Sequence, residues 1–159
     1  MESLSEDSLH VILMKIMRLH YLRTQALLDN TGIYPGQPPL LFALFTKDGK
    51  SQKELADTLK VKPATINVTI KRLEKTGFIL RRIDEKDQRV TRIFLTEKGK
   101  NICNELLKIN KQIEEECFYS FTVEEKVLLR RLLIQVRENL FKVCTVDDSF
   151  CHCRNNKNI

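Results

Sequence analysis

The sequence predicts a mainly α-helical protein carrying one small β-hairpin, and three observations point there. Gly (5) and Pro (4) are scarce among 159 residues. Long stretches repeat apolar residues at helical spacing, and two Ser/Thr-x-x-Glu signatures mark helix starts. Only between Phe78 and Leu95 does the period change to that of strands. Hydrophobic residues make up 42% and charged residues 30%, a balance that excludes a collagenous, low-complexity or wholly disordered chain. The longest apolar runs, such as Leu40 to Phe45, are far too short to span a bilayer. No basic segment leads into an apolar stretch near Met1, so no secretory signal is readable. Five cysteines, an odd number, fit a reducing compartment, and the expected location is the cytoplasm.

The elements follow in order. A first helix runs from about Asp7 to Asn30, with apolar residues at 9, 12, 13, 16, 17, 19 and 22. Thr31-Gly32 stops it, and Tyr34-Pro35-Gly36 marks a loop. Gln37 to Lys47 is a second helix, opened by prolines that lose nothing at a helix start. Ser51 with Glu54 forms a capping box for a short third helix ending at Leu59. After a tight turn at Lys60 to Lys62, Pro63 and Gly77 bracket a fourth helix over Pro63 to Thr76. Its buried stripe is Ile66, Ile70 and Leu73. Phe78 to Ile83 and Arg89 to Leu95 read as two strands joined by a charged turn. Thr96 caps a long fifth helix to about Tyr119, and Thr122 with Glu125 opens a sixth to about Val143. From Thr145 the chain turns polar and reads as a frayed tail.

The positive charge is localised. The net charge is +6 and the pI about 9.1. Residues 1–51 and 101–159 are each balanced, whereas residues 52–100 hold 13 Lys/Arg against 7 Asp/Glu and so carry the whole excess. A local basic excess is the footprint of a nucleic-acid-binding module. The pattern inside that window agrees. Two helices joined by a tight turn, then a basic hairpin, form a winged helix-turn-helix. A major groove about 12 Å wide admits one helix, here the fourth. Its small outward residues permit close approach. Asn67 suits bidentate pairing with adenine, and Ala64, Thr65 and Val68 offer methyl groups to thymine methyls. Lys62, Lys71 and Arg72 are in place to reach phosphates, and Pro63 sets the helix start. A single Arg in the hairpin would be drawn to a narrow A·T-rich minor groove.

The stretch Gln37 to Lys100 resembles the winged-helix domain of the MarR family of bacterial transcriptional regulators. The resemblance is carried by Ser51-Gln-Lys-Glu-Leu-Ala-Asp-Thr-Leu59, by Thr65-Ile66 opening a helix closed by Arg72-Leu-Glu-Lys-Thr-Gly77, by Asp84-Glu-Lys-Asp-Gln-Arg89, and by Leu95-Thr-Glu-Lys-Gly99. Asp87-Gln88-Arg89 matches the family's Asp-x-Arg wing element. The resemblance implies that Arg89 enters the minor groove while Asp87 holds its guanidinium, with Lys86 beside them. Many members carry Arg where Gln88 stands, so one wing phosphate contact is missing here. It also implies a homodimer joined through terminal helices, on a palindromic double-stranded operator with half-sites about one helical turn, roughly 34 Å, apart.

The flanking helices agree with a dimer. The first, fifth and sixth carry more apolar surface than one small domain covers. Leu9, Ile12, Met17, Leu129, Leu133 and Leu140 are the expected interface residues. The domain organisation that follows is 1–36 for an N-terminal dimerisation helix, 37–100 for the DNA-binding domain, 101–145 for the C-terminal dimerisation helices, and 146–159 for a polar, Cys-containing tail.

Family members often bind a small aromatic or anionic effector between the dimer helices and the DNA-binding lobe. Here the lining residues are unassigned; His20, Tyr21, Tyr34 and Phe42 are the aromatic and imidazole side chains on offer, and each reads better as a core or interface residue. Cys103 and Cys117 read as inert, half-buried thiols. In the tail, Cys144, Cys151, His152 and Cys153 have ligand chemistry for zinc or for a thiol switch, but their spacing departs from Cys-x-x-Cys, which favours free thiols. No nucleophile–base pair, Gly-rich phosphate loop or paired carboxylates is visible, so no enzyme activity and no cofactor is expected. Repression is favoured over activation, since a dimer over a promoter blocks polymerase unaided. The alternatives are a winged-helix module for an acidic protein partner and a regulator switched through the tail cysteines.

Overall fold

The computed structural model describes residues 7–143. Along the chain come α1 (Leu9–Leu28), α2 (Pro38–Thr46), β1 (Lys50–Ser51), α3 (Gln52–Leu59), α4 (Pro63–Lys75), β2 (Ile79–Ile83), β3 (Thr91–Leu95), α5 (Glu97–Cys117) and α6 (Val123–Val143). All six expected helices are present, with ends moved by one or two residues.

Side-chain chemistry sets the helix starts. Ser8 accepts from the Val11 amide at 3.2 Å at the head of α1. At α3 the capping box is reciprocal: Ser51 Oγ accepts from the Glu54 amide at 3.2 Å, and Glu54 accepts from the Ser51 amide at 2.7 Å. Thr122 and Glu125 do the same for α6, at 3.2 and 2.8 Å. Such a cap contributes about 0.5–2 kcal/mol by satisfying N–H groups that the helix leaves unpaired. Two chain reversals need a left-handed residue. Lys60 closes α3 at φ 56, and Gly77 follows α4 at φ 75.

The sheet departs from the expected two-stranded hairpin. It has three antiparallel strands in the order β1–β3–β2. β2 and β3 pair from Ile79↔Leu95 to Ile83↔Thr91, and Lys50 and Ser51 pair with Ile93 and Arg92. Both hairpin strands are shorter than expected, because Phe78 lies in the bend after α4 and Arg89 and Val90 lie in the turn.

One apolar core joins α2, α3, α4, the sheet and the inner stripe of α5. Leu41, Leu44, Leu55, Ile70 and Leu73 are wholly buried, as the expected Ile66–Ile70–Leu73 stripe requires. Each such side chain contributes about 1.5–3 kcal/mol through removal from water. On α5 the buried positions are Gly99, Ile102, Cys103, Leu106, Ile109 and Ile113, one helical stripe. By contrast α1 buries only Leu28, and α6 buries no residue. No helix among the described residues is long and apolar enough to cross a membrane.

Candidate nucleic-acid interface

α4 has two opposed faces. Ile66, Ile70 and Leu73 lock one into the core. On the other, Ala64, Thr65, Val68, Lys71 and Arg72 recur at helical spacing and are all exposed. Val68, an apolar residue, is 51% exposed. Asn67 is half-buried at the edge of this face. Lys62 and Pro63 form the N-cap and first turn, and the Pro63 carbonyl accepts from Gln52 Nε2 at 3.4 Å, tying the starts of α3 and α4. The surface is thus a short methyl-bearing strip with cations at both ends.

The far end of α4 is clamped by the start of α5. Thr96 Oγ1 donates to the Gly77 carbonyl at 2.7 Å and accepts from the Gly99 amide at 3.0 Å. Lys98 Nζ donates to the Thr76 carbonyl at 2.8 Å and lies 4.6 Å from the centre of the Phe78 ring. A Cβ on Gly99 would stand 2.0 Å from the Phe78 carbonyl oxygen, so only glycine allows this approach. The Leu95-Thr-Glu-Lys-Gly99 segment therefore fixes the recognition helix against α5.

In the wing, Lys86, Asp87 and Arg89 are exposed within one turn. One expected contact is corrected. The Asp87 carboxylate accepts from the backbone N–H of Arg89, at 3.0 Å, and forms no ion pair with its guanidinium. A short Asp side chain two residues before an N–H makes this local turn readily. It shapes the backbone and leaves the Arg89 head exposed.

Sequence reasoning missed the organiser of this turn, Asp84. Its Oδ1 accepts from the Lys86 and Asp87 amides at 2.8 and 3.0 Å, and its Oδ2 accepts from Arg92 Nε. Arg92 first, then the two backbone N–H groups, hold the Asp84 carboxyl down to about 2. An Asp placed two and three residues before the turn's N–H groups was a readable local signal for the acid, but nothing local marks Arg92.

The charges of the basic window sort into two sets. Arg81, Arg92 and Lys100 are spent on Glu74, Asp84 and Glu97. Among the described residues Lys60, Lys62, Lys71, Arg72, Lys75, Lys86 and Arg89 make no ion pair. Lys53 on α3 also makes none, and Arg82 and Lys98 lie over the Phe94 and Phe78 rings in place of a carboxylate, so the unspent cations concentrate on α4, the turn before it and the wing without being confined there.

The other expected residues stand as follows. Leu9, Ile12, Met17, Leu133 and Leu140 are exposed, with Leu129 half-buried. His20, Tyr21 and Tyr34 are exposed, whereas Phe42 packs against the core. None of these four lines either of two surface grooves, one of about 560 Å³ between α5 and α6 and one of about 390 Å³ at the wing. Cys103 is buried, and burial pushes its thiol up to about 11. Cys117 is exposed, not half-buried as expected, because it closes α5 beyond the last core position, Ile113. Cys144, Cys151, His152 and Cys153 lie outside the described residues.

A recognition-type helix with an uncommitted cationic face, beside a three-stranded wing, defines a winged helix-turn-helix DNA-binding protein. The chain belongs to the MarR family, whose model matches residues 33–91. The HTH-type transcriptional regulator YybA of Bacillus subtilis (strain 168) is 35% identical over 105 residues, covering 66% of this chain and 70% of the relative. Among solved structures, a MarR transcriptional regulator from Methanosarcina mazei Go1 is 32% identical with TM-score 0.67, covering 82% of this chain and 95% of that one. A MarR family regulator from Listeria monocytogenes, solved in complex with a 26mer DNA, shares the fold at TM-score 0.66 and 24% identity, covering 86% of this chain and 91% of that one. The protein is a DNA-binding transcriptional regulator of this family and not an enzyme.

Proposed function

We propose that the chain is a cytoplasmic homodimeric repressor that reads a palindromic operator and is released by a small aromatic or anionic effector. The observation that carries the dimer is α6. It buries no residue, yet Val127, Leu128, Leu132, Leu133, Val136 and Leu140 are all more than 40% exposed along it. Exposed apolar surface of this extent marks a protein contact. In this reading residues 37–100 read DNA, while 1–36 and 101–145 join the two copies. Val68, Ala64 and Thr65 meet base edges, with Asn67 at their margin. Lys62, Lys71 and Arg72 meet phosphates, and Lys86 and Arg89 serve the flank. Two-fold symmetry then sets the half-sites about one helical turn apart. An effector acts by changing that spacing, since a shift of a few ångströms breaks register with both half-sites.

The test is to incubate the protein with sheared genomic duplex at physiological salt and sequence what is retained. An enriched inverted repeat with A·T-rich flanks is expected, with affinity falling steeply as salt rises. Uniform, salt-labile retention without a motif would overturn this reading and leave a general basic binder or a module for an acidic protein.

A further inference from the structure

Arg92 joins parts of the protein that are far apart in sequence. It lies on β3, in register with Arg82 on β2 and Ser51 on β1. Its Nε donates to Asp84 Oδ2 across the hairpin. Its Nη1 donates to the Gly49 carbonyl at 2.9 Å and lies 3.5 Å from Glu54 Oε2. Each partner has a further duty. Glu54 closes the first turn of α3 through the Ser51 amide. Asp84 accepts from the amides of Lys86 and Asp87, and Asp87 from that of Arg89. A continuous run of polar contacts therefore leads from the start of α3 to the backbone of Arg89.

Only a guanidinium can make this junction. Its planar fork carries five N–H donors in fixed directions, whereas an ammonium is a point charge on a flexible stem. The same commitments disqualify Arg92 as a phosphate contact: its charge faces two carboxylates, and the Asp84 side chain is only 11% exposed. The Arg92 hydrogen bond first, then the Lys86 and Asp87 amides, outweigh the opposing effect of burial on the Asp84 carboxyl and keep the pair ionised near neutral pH. A wing turn ordered before DNA arrives need not be ordered by the DNA, so less binding energy is lost to entropy.

We propose that Asp84 and Arg92 are positioning residues that hold the Arg89 turn at a set angle to the helix pair, so that helix and wing engage one duplex together. This rests on the DNA-binding role proposed above. The test has two arms. In the free protein, hydrogen exchange at the Lys86, Asp87 and Arg89 amides is measured for Arg92→Met and for the milder Asp84→Asn, beside thermal unfolding. Exchange faster by roughly tenfold with the global transition retained is expected, since these bonds open locally. In the second arm, affinity for the selected duplex with A·T-rich or G·C-rich flanks is measured for Arg92→Met, Arg92→Lys and Arg89→Ala, singly and combined. Arg92→Met is expected to lose flank discrimination, Arg92→Lys to fail to restore it, and the loss to vanish in the Arg89→Ala background. Equal losses in both backgrounds would make Arg92 a direct DNA contact and overturn the proposal. Unchanged amide exchange in both variants would also overturn it, whatever the DNA result. Absence of any selected site for the unaltered chain would instead strike at the proposed function and remove the role these residues are assigned.

Discussion

In the proposed interface Arg89 and Val68 divide the reading of DNA between them, and each makes a separable prediction. Arg89 has its backbone fixed by Asp87 and its charge unspent. Arg89→Ala is expected to lower operator affinity by about 1–3 kcal/mol and to weaken the A·T preference at the flanks, read by fluorescence titration against duplexes with altered flanks. Unchanged affinity would remove Arg89 from the interface. Val68 has no place in the core, being 51% exposed on the face opposite Ile66 and Ile70. Its methyls suit a thymine methyl. Substituting uracil for thymine in the half-site is therefore expected to weaken the unaltered protein by about 1 kcal/mol, the scale of one buried methyl group, and to leave Val68→Ala almost unaffected. Equal sensitivity of both proteins to uracil would assign that thymine to another side chain.

At the scale of elements, two junctions decide how the helices sit. The first is α5 on the recognition helix. Gly99→Ala drives a methyl into the Phe78 carbonyl at 2.0 Å, and backbone cannot yield as a side-chain tip would. A loss of about 1–3 kcal/mol or more is expected by chemical denaturation, with DNA affinity falling in parallel as α4 loosens. The second is α1 on α5. Arg23 Nε and Nη2 donate to the two oxygens of Glu116, both at 2.7 Å. That contact first, and Gln112 second, hold the Glu116 carboxyl down from 4.5 to about 2. The unfolded chain binds this proton more tightly than the folded one, so the tie is fully present above about pH 4.5 and is lost as pH falls toward 2. The stability gap between the native chain and Glu116→Gln should therefore be open at pH 7 and close through that window. Both side chains are more than a third exposed, so added salt should narrow it as well. A gap that persists at pH 2 would show that the carboxylate charge is not what matters.

At the scale of the whole molecule, α1 and α6 are the least buried of the described helices. α6 touches the core so little that its stability as a helix rests on its cap and on whatever covers its apolar faces. Leu133→Asp combined with Leu140→Asp is expected to yield a monomer of 18.6 kDa by sedimentation, with the winged domain still folded. Its DNA affinity should fall by far more than a single contact, because the second half-site is no longer delivered by the same particle. A variant that remains dimeric would move the interface to α1. Selective loss of α6 helicity in the monomer, read by circular dichroism, would confirm that the helix depends on its cover.

The sequence by itself determined the helices and most of the outward face of α4. Caps, prolines and periodicity act within a few residues, so Ser51 with Glu54, Pro63 with Gly77, and the Ile66–Ile70–Leu73 stripe could be read directly and the helices stand there. The faces of α4 follow from one helical period, which is why Ala64, Thr65, Val68 and Lys71 were legible as outward residues. The tertiary structure alone decided what depends on distant partners. β1 is two residues long and has no pattern of its own; it is a strand only because Ile93 and Arg92 pair with it. Gly99 looked like an ordinary helix residue until Phe78 was brought against it. Asp84 and Arg92 are eight residues apart, and Gly49 lies 43 residues from Arg92, so neither composition nor spacing could join them. Local rules choose what each segment becomes, because their energies arise within a turn or two. Which side chains hold the wing and which stay free for DNA is settled by contacts that exist only once the chain has closed on itself.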